Sequence, residues 1–349
     1  MALFSQAPAS LCILRLSSIG DVCNALAAVQ SIQRHWPDTL ITWIIGKTEA
    51  QLLEGINNIE LIIYDKSSGL SGILNIWRQL AHRQFDALLH MQLALRASLL
   101  TLGIRARYKV GFHRGKAREG QWLFTNKRLN DTACWHVVDN FLAFASYLGV
   151  PDGKARWNLE LDAAEHDFAR RILNGKPTVV IAPAASHTER AWATDRYAAF
   201  ADHVAGKAFQ VALCGSSTRH ERELANAIIS QMKHPALDLV GRTTLRQLAA
   251  VLAQSCLLLA PDSGPAHLAS SQDTPVISLH AHSDPRRTGP YHSLASVISQ
   301  YEPLIFRQYG RPARLLPWGT RAHGKNLMNH IELAPVIAQF DDMATEGAQ

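Results

Sequence analysis

With 349 residues the chain is too long for one ordinary core, and the usual domain size of about 50–250 residues predicts two. An apolar share of 47% beside 18% charged residues is that of a soluble globular protein able to bury large cores. The five cysteines, Cys12, Cys23, Cys134, Cys214 and Cys256, are odd in number, widely spaced and form no Cys-x-x-Cys pair, which excludes a disulfide framework and predicts reduced thiols in a cytosolic protein.

No charged residue precedes Arg15, so the basic opening of a secretory signal is missing. The most apolar long stretch, 87–104, contains His90, Gln92 and Arg96 and falls short of a membrane span. The expected location is cytoplasmic or peripheral to a membrane surface. The formal charge of +6 is unevenly placed: Arg105, Arg107, Lys109, Arg114, Lys116, Arg118, Lys127 and Arg128 fall in one window with the single acid Glu119. Such a run suggests a partner carrying phosphates or carboxylates; the alternative is a solvated basic loop.

Taken in order, 11–16 reads as a strand, and Ser17-Ser18-Ile-Gly20-Asp21 as a tight turn into an amphipathic helix through about His35, with Val22, Leu26, Val29 and Ile32 on one stripe. Asp21 then stands at the helix start, above the carboxyl end of the first strand. It either complements the helix dipole, worth roughly 0.3–1 kcal/mol, or faces a cleft as a general base. Strand-like runs at 40–45, 61–64, 87–91 and 109–112 alternate with helical patterns near 48–54, 73–82 and 95–102, so the first half is a parallel α/β domain closed by a helix over 136–148. Residues 150–176 are the expected connection.

The second half repeats the architecture without the sequence, with strands at 178–182, 210–214, 237–240, 257–260 and 276–279. Three of them end in polar or glycine-containing turns: Pro183-Ala-Ala-Ser186-His-Thr-Glu-Arg190, Gly215-Ser-Ser-Thr-Arg-His-Glu221, and Pro261-Asp262-Ser263-Gly264-Pro-Ala-His267. In the last, Pro261 is expected to end the strand, Asp262 and Ser263 are N-cap types, and Pro265 suits the first helical position. Free amides at a helix start on the carboxyl edge of a sheet suit a nucleotide pyrophosphate; a capped helix with a satisfied His267 is the plainer alternative. Glu221 either accepts from a ribose hydroxyl or caps its helix, and Arg190 either neutralises a diphosphate or sits on a solvated face. Their common sheet edge favours a composite nucleotide site. A basic, aromatic tail follows, with Tyr301, Phe306, Arg307, Tyr309, Arg311, Arg314 and Trp318, then a last helix from about 325 to 340 and a frayed end over 344–349.

The pairing of Arg15-Leu-Ser-Ser-Ile-Gly-Asp21 with Asp262-Ser-Gly-Pro-Ala-His267, together with Val110-Gly-Phe112, Arg118-Glu-Gly-Gln-Trp-Leu-Phe124, His136-Val-Val-Asp139 and Arg287-Thr-Gly-Pro-Tyr291, resembles the family-nine glycosyltransferases, mainly ADP-heptose:lipopolysaccharide heptosyltransferases. The resemblance implies an α/β GT-B fold, two Rossmann-like domains with parallel sheets facing across a cleft: an acceptor domain over 1–160, a nucleotide-sugar domain over 175–324, and a helix over 325–343 packing back on the first. It implies Asp21 as catalytic base with Arg190 at the donor phosphates. Ser18, Gly20, Ser186, Glu221, Asp262, Ser263, Gly264 and His267 would bind the donor, and Arg114, Lys116, Arg118 and Trp122 the acceptor.

Two departures stand out. Familiar members commonly carry lysine at the position of Arg190, and upstream hydroxyls where this chain has Ser186 and a differently spaced Thr188. The implied reaction is inverting transfer of L-glycero-D-manno-heptose from ADP-heptose to Kdo of lipid A, at the cytoplasmic face of the inner membrane. No Asp-x-Asp signature occurs, so no obligatory metal or other cofactor is expected. Rival readings are a different nucleotide-sugar donor, a GT-B sugar-nucleotide epimerase, and a basic protein that binds nucleic acid or lipopolysaccharide without catalysis. Duplex binding is disfavoured because the basic run lacks a recognition module. The sequence does not give the oligomeric state.

Overall fold

The computed structural model describes residues 2–131, 134–151, 154–186 and 190–346. Two compact units result, Met1–Glu160 and Leu161–Gln349.

The first unit holds β1 (Ser10–Leu14), β2 (Leu40–Gly46), β3 (Ile59–Tyr64), β4 (Gln84–His90), β5 (Arg105–Gly111) and β6 (Lys127–Arg128) in one parallel sheet of order β3-β2-β1-β4-β5-β6. Runs such as Leu-Cys-Ile-Leu and Ile-Thr-Trp-Ile-Ile are apolar on both faces because helices cover both sides of the sheet, whereas edge strand β3 alternates. The order reverses between β1 and β4, which places a ligand crevice at their carboxyl ends. There Leu14 is registered against Ile44 and His90.

Helix Ile19–His35 buries its expected stripe, Val22, Leu26, Val29 and Ile32, and most of its circumference besides. The helix Val137–Leu148 packs on it and ends at Gly149, whose φ of 119° and close approach to the Phe4 carbonyl leave no room for a side chain.

The expected connection over 150–176 is divided instead. Trp157 donates its indole N–H to the Cys23 carbonyl (2.7 Å), and Asn158 exchanges hydrogen bonds with Gln30, so this stretch closes the first unit. Helix Ala163–Leu173, started by a reciprocal Asp162–Glu165 capping box, opens the second unit and packs on helix Leu245–Ala253 with Glu165 paired to Arg246.

The second unit holds β7 (Thr178–Ile181), β8 (Gln210–Leu213), β9 (Leu237–Asp238), β10 (Leu257–Pro261), β11 (Val276–His280) and β12 (Val297–Ser299). Their parallel order, β12-β11-β10-β7-β8-β9, is the same topology read from the other edge, with its reversal between β7 and β10. Pro261 belongs to β10 rather than ending it: it is registered against Leu279, while the pairing with β7 stops at Leu259, so no ladder bond is lost to the missing N–H.

The last helix, Leu333–Glu346, begins later than expected and continues through 344–346 where fraying was expected. It was expected against the first domain. Its buried Val336 and Phe340 belong to the second unit's core, where Phe340 meets Phe200 (5.7 Å) and Phe209 (5.5 Å) edge-on. The preceding tail is fastened to the same unit by Trp192, whose indole N–H donates to the Ile331 carbonyl (2.9 Å).

Candidate active site

At the carboxyl end of β1 the chain inserts a cation into an apolar interior. Arg15 is 7% exposed; its Nη1 donates to the Met91 carbonyl (2.7 Å), its guanidinium lies 5.4 Å over Phe141, and its Nη2 pairs with Asp21 Oδ2. Burial lowers the Arg15 pKa from its ordinary value, and the adjacent Asp21 carboxylate opposes that shift. Asp21 also accepts from the Ser18 hydroxyl (3.2 Å), yet its side chain remains 37% exposed. One carboxylate oxygen is thus engaged while the group still faces solvent.

The turn bearing Ser18, Gly20 and Asp21 is fixed from below. Gln92 Oε1 accepts from the Leu16 amide (3.1 Å), and buried Gln121 donates to the carbonyls of His90 (2.8 Å) and Gln92 (2.9 Å). Buried His90 shares a hydrogen bond with Ser98 (3.0 Å), and burial followed by the charge of Arg15 pushes its pKa down to about 3, so it is neutral at pH 7. A second acid, Glu49, is buried and paired with Lys66 (3.4 Å). Of Asp21, Glu49 and His90, Asp21 alone is solvent-facing.

The cations of the basic segment lie in two kinds of surroundings. Arg114 lies 4.6 Å over the Trp122 ring, an exposed cation on an aromatic plate, and Arg118 is exposed beside it in sequence. Lys116 turns inward instead: its ammonium donates to the Cys134 carbonyl (2.9 Å) and Asn140 Oδ1 (2.7 Å), and burial lowers its pKa. Lys109 is likewise bound to the Thr101 carbonyl. The expected acceptor group is therefore divided, with Arg114 and Arg118 exposed, Trp122 half-buried beneath Arg114, and Lys116 holding the loop to helix Val137–Leu148.

In the second unit Asp262 is the centre of a buried network. Its Oδ2 accepts from the hydroxyls of Ser283 and Thr288 (3.0 Å for the latter) and lies 3.4 Å from Arg190 Nη1, which also donates to the Asp262 carbonyl (2.8 Å); His267 Nε2 is 3.8 Å from Oδ1. Burial alone would raise the Asp262 pKa, but the His267 hydrogen bond and the Arg190 charge hold it well below the carboxylate range. A buried anion repels phosphate, so Asp262 is placed to fix Arg190 and His267 rather than to touch a diphosphate.

Donors remain for such a ligand. Arg190 Nε and Ser263 Oγ are buried without a hydrogen-bond partner among the described residues, and Ser263 stands at the N-cap position of helix Gly264–Ser271 without capping it by its side chain, with Gly264 first and Pro265 second. The first amides of a helix have no acceptor within it. Ser186 is exposed on the loop after β7, and Thr188 lies outside the described residues. Glu221 braces its own turn: its two oxygens accept from the Ser216 amide (2.7 Å) and hydroxyl (2.6 Å), leaving a lone pair on each. Among the described residues no three His, Cys, Asp or Glu side chains are grouped to hold a metal ion.

Sequence reasoning missed Arg15, Gln92, Gln121, Ser283 and Thr288. Arg15 was signalled as the charge closing an apolar strand, and Thr288 stood inside the Arg287–Tyr291 motif. The two glutamines carry no local signal, since their partners are backbone groups far away in sequence.

Two Rossmann-type units of matching strand order, each with polar groups at its reversal point, make up the GT-B fold. Residues 73–312 match the model of glycosyltransferase family 9 (heptosyltransferase). The lipopolysaccharide core heptosyltransferase OpsX of Haemophilus influenzae is 46% identical over 341 residues, 97% of this chain and 98% of that one. The family 9 glycosyl transferase of Veillonella parvula superposes with a TM-score of 0.78 at 21% identity, covering 97% of both chains. E. coli heptosyltransferase WaaC, solved with ADP-2-deoxy-2-fluoro heptose, gives 0.65 at 19% identity over 82% of this chain and 97% of its own. The chain belongs to glycosyltransferase family 9, and it is a heptosyltransferase.

Proposed function

We propose that the protein transfers L-glycero-D-manno-heptose, with inversion, from ADP-heptose to a hydroxyl of Kdo on lipid A during assembly of the lipopolysaccharide inner core. The name of the Haemophilus relative and the donor analogue bound to WaaC support the pathway and the donor. The observation that carries the chemistry is Asp21, one oxygen engaged by buried Arg15 and the carboxylate open to solvent.

Asp21 takes the proton of the acceptor hydroxyl as the anomeric carbon gains positive charge. Its pairing with Arg15 holds the carboxylate in place. Arg190, His267, Ser263 Oγ and the first amides of helix Gly264–Ser271 stabilise the departing diphosphate, doing electrostatically what a metal does elsewhere. Arg114 and Arg118, with Trp122, attract an acceptor bearing carboxylates and phosphates. Ser18 and Gly20 shape the turn under the donor sugar, Ser186 lies on the phosphate loop, and Glu221 accepts from the ribose. No obligatory metal enters this reading. The reading places the enzyme at the cytoplasmic surface of the inner membrane as a peripheral protein, where its lipid-linked acceptor would be met.

Incubation with ADP-heptose and defined Kdo-lipid A acceptors in the presence of a chelator, followed by mass measurement, tests this directly. One added heptose, with ADP released only when acceptor is present, is the expected result. ADP release without acceptor, or a donor isomerised and not transferred, would replace transfer by hydrolysis or epimerisation.

A further inference from the structure

The catalytic reading leaves the basic, aromatic tail of the second unit unused. Residues 303–331 contain Arg307, Arg311, Arg314, Arg321 and Lys325 and no acid. Helix Tyr301–Tyr309 buries Tyr301, Leu304 and Ile305 and sends Phe306 and Tyr309 outward, 57% and 41% exposed. Glu302, Phe306 and Tyr309 follow at spacings of four and three, one stripe of the helix.

Gly310, in the left-handed region at φ 68°, ends the helix and turns the chain back. Glu302 Oε1 then accepts from the Ala313 amide (2.9 Å), which folds the turn Ala313–Leu315 against that stripe. Leu315 on this turn is 63% exposed. Arg307, Arg311 and Arg314 are exposed, and none pairs with an acid among the described residues. Three outward apolar side chains among three uncompensated guanidiniums suit neither a core nor water, but they match a surface that is apolar beneath and anionic above.

We propose that Phe306, Tyr309 and Leu315, with Arg307, Arg311 and Arg314, form a docking surface for an anionic lipid bilayer. The apolar side chains enter the headgroup region, and the arginines pair with lipid phosphates. This goes beyond the proposed reaction and does not depend on it, because the bilayer is recognised without any sugar acceptor.

The test is flotation of the full-length protein with vesicles of phosphatidylcholine alone or with added phosphatidylglycerol, neither containing lipopolysaccharide. The expected result is salt-sensitive binding that needs the anionic lipid. Arg307→Gln/Arg311→Gln/Arg314→Gln should weaken it by about a hundredfold, near fivefold per arginine. Phe306→Ser/Leu315→Ser should also weaken it although all charge is kept, with the melting temperature of each variant unchanged.

Vesicle binding that survives both sets of changes would overturn the proposal. So would binding lost with the arginines but indifferent to Phe306 and Leu315 and equally strong on duplex DNA, which would mark a general polyanion surface. Turnover on a soluble acceptor fragment, measured on the same variants, tests the transfer reading separately, since these residues take no part in it.

Discussion

Asp21→Asn keeps the size of the side chain and a hydrogen bond to Arg15 while removing the ability to take a proton. Turnover should fall by roughly 10²–10⁴-fold with ADP-heptose affinity unchanged, measured by single-turnover kinetics and donor titration. Melting should fall as well, because the buried guanidinium loses its counter-charge. Near-normal turnover in a folded variant would leave Asp21 a structural partner of Arg15. Arg190→Ala should weaken ADP binding roughly ten- to a hundredfold, the loss of one or two charge-assisted hydrogen bonds, without changing the acceptor KM. Arg190→Lys should recover much of that affinity, which calorimetry with ADP can establish. His90 bears on stability, not chemistry. Its folded pKa of about 3 lies below an unfolded value near 6.5, so its contribution is complete above pH 6.5 and is lost as pH falls toward 3. The unfolding free energy should therefore decline by roughly 1.4 kcal/mol per pH unit in that window, read from denaturant titrations, and His90→Gln should flatten the slope.

At the scale of elements, the loop between β5 and helix Val137–Leu148 separates two kinds of cation that composition alone treats as one. Arg114→Ala or Trp122→Ala should raise the acceptor KM, more at low salt than at high, and leave melting almost unchanged. Lys116→Met should do the reverse, lowering the melting temperature by uncoupling the loop from Asn140, with the acceptor KM affected only through that loosening. If Lys116→Met changed KM alone, its ammonium would be a ligand and the division of the segment would fail. The turn after β10 also combines two functions. Asp262 anchors Arg190, and the next residue, Ser263, keeps a buried hydroxyl without a partner among the described residues, so one short motif contains both an engaged acid and an unengaged donor.

At the scale of the molecule, the alternation of strand and helix was legible because buried parallel strands are short apolar runs and their helices carry a period near 3.6. Strands β6 and β12 escaped notice: Lys127–Arg128 and Val297–Ser299 are edge pairings, too short for a pattern and decided by the neighbouring strand. The placement of Asp21 in the first turn of its helix, and of Arg190 and His267 about Asp262, was legible through turn chemistry and motif. What was not legible is how the acids are used. Asp262 as an anchor depends on Ser283 and Thr288, more than twenty residues away, and the partners of Lys116 lie across a loop. Burial decides these roles, and burial belongs to the assembled fold.

The last helix has a consequence for how the protein is made. The first unit has all six strands and its Trp157 fastening once residue 160 has been synthesised, so it can fold while the remainder is still being translated. The second unit completes its core only after residue 340 has been made, because Phe340 packs there against Phe200 and Phe209. Its apolar surfaces stay exposed throughout its synthesis, a window for chaperones and proteases. A chain stopped before Leu333 should retain a protease-resistant fragment near residues 1–160 and lose ADP binding, with limited proteolysis as the readout. Resistance across the whole truncated chain would show that the helix is an ornament to a core already complete.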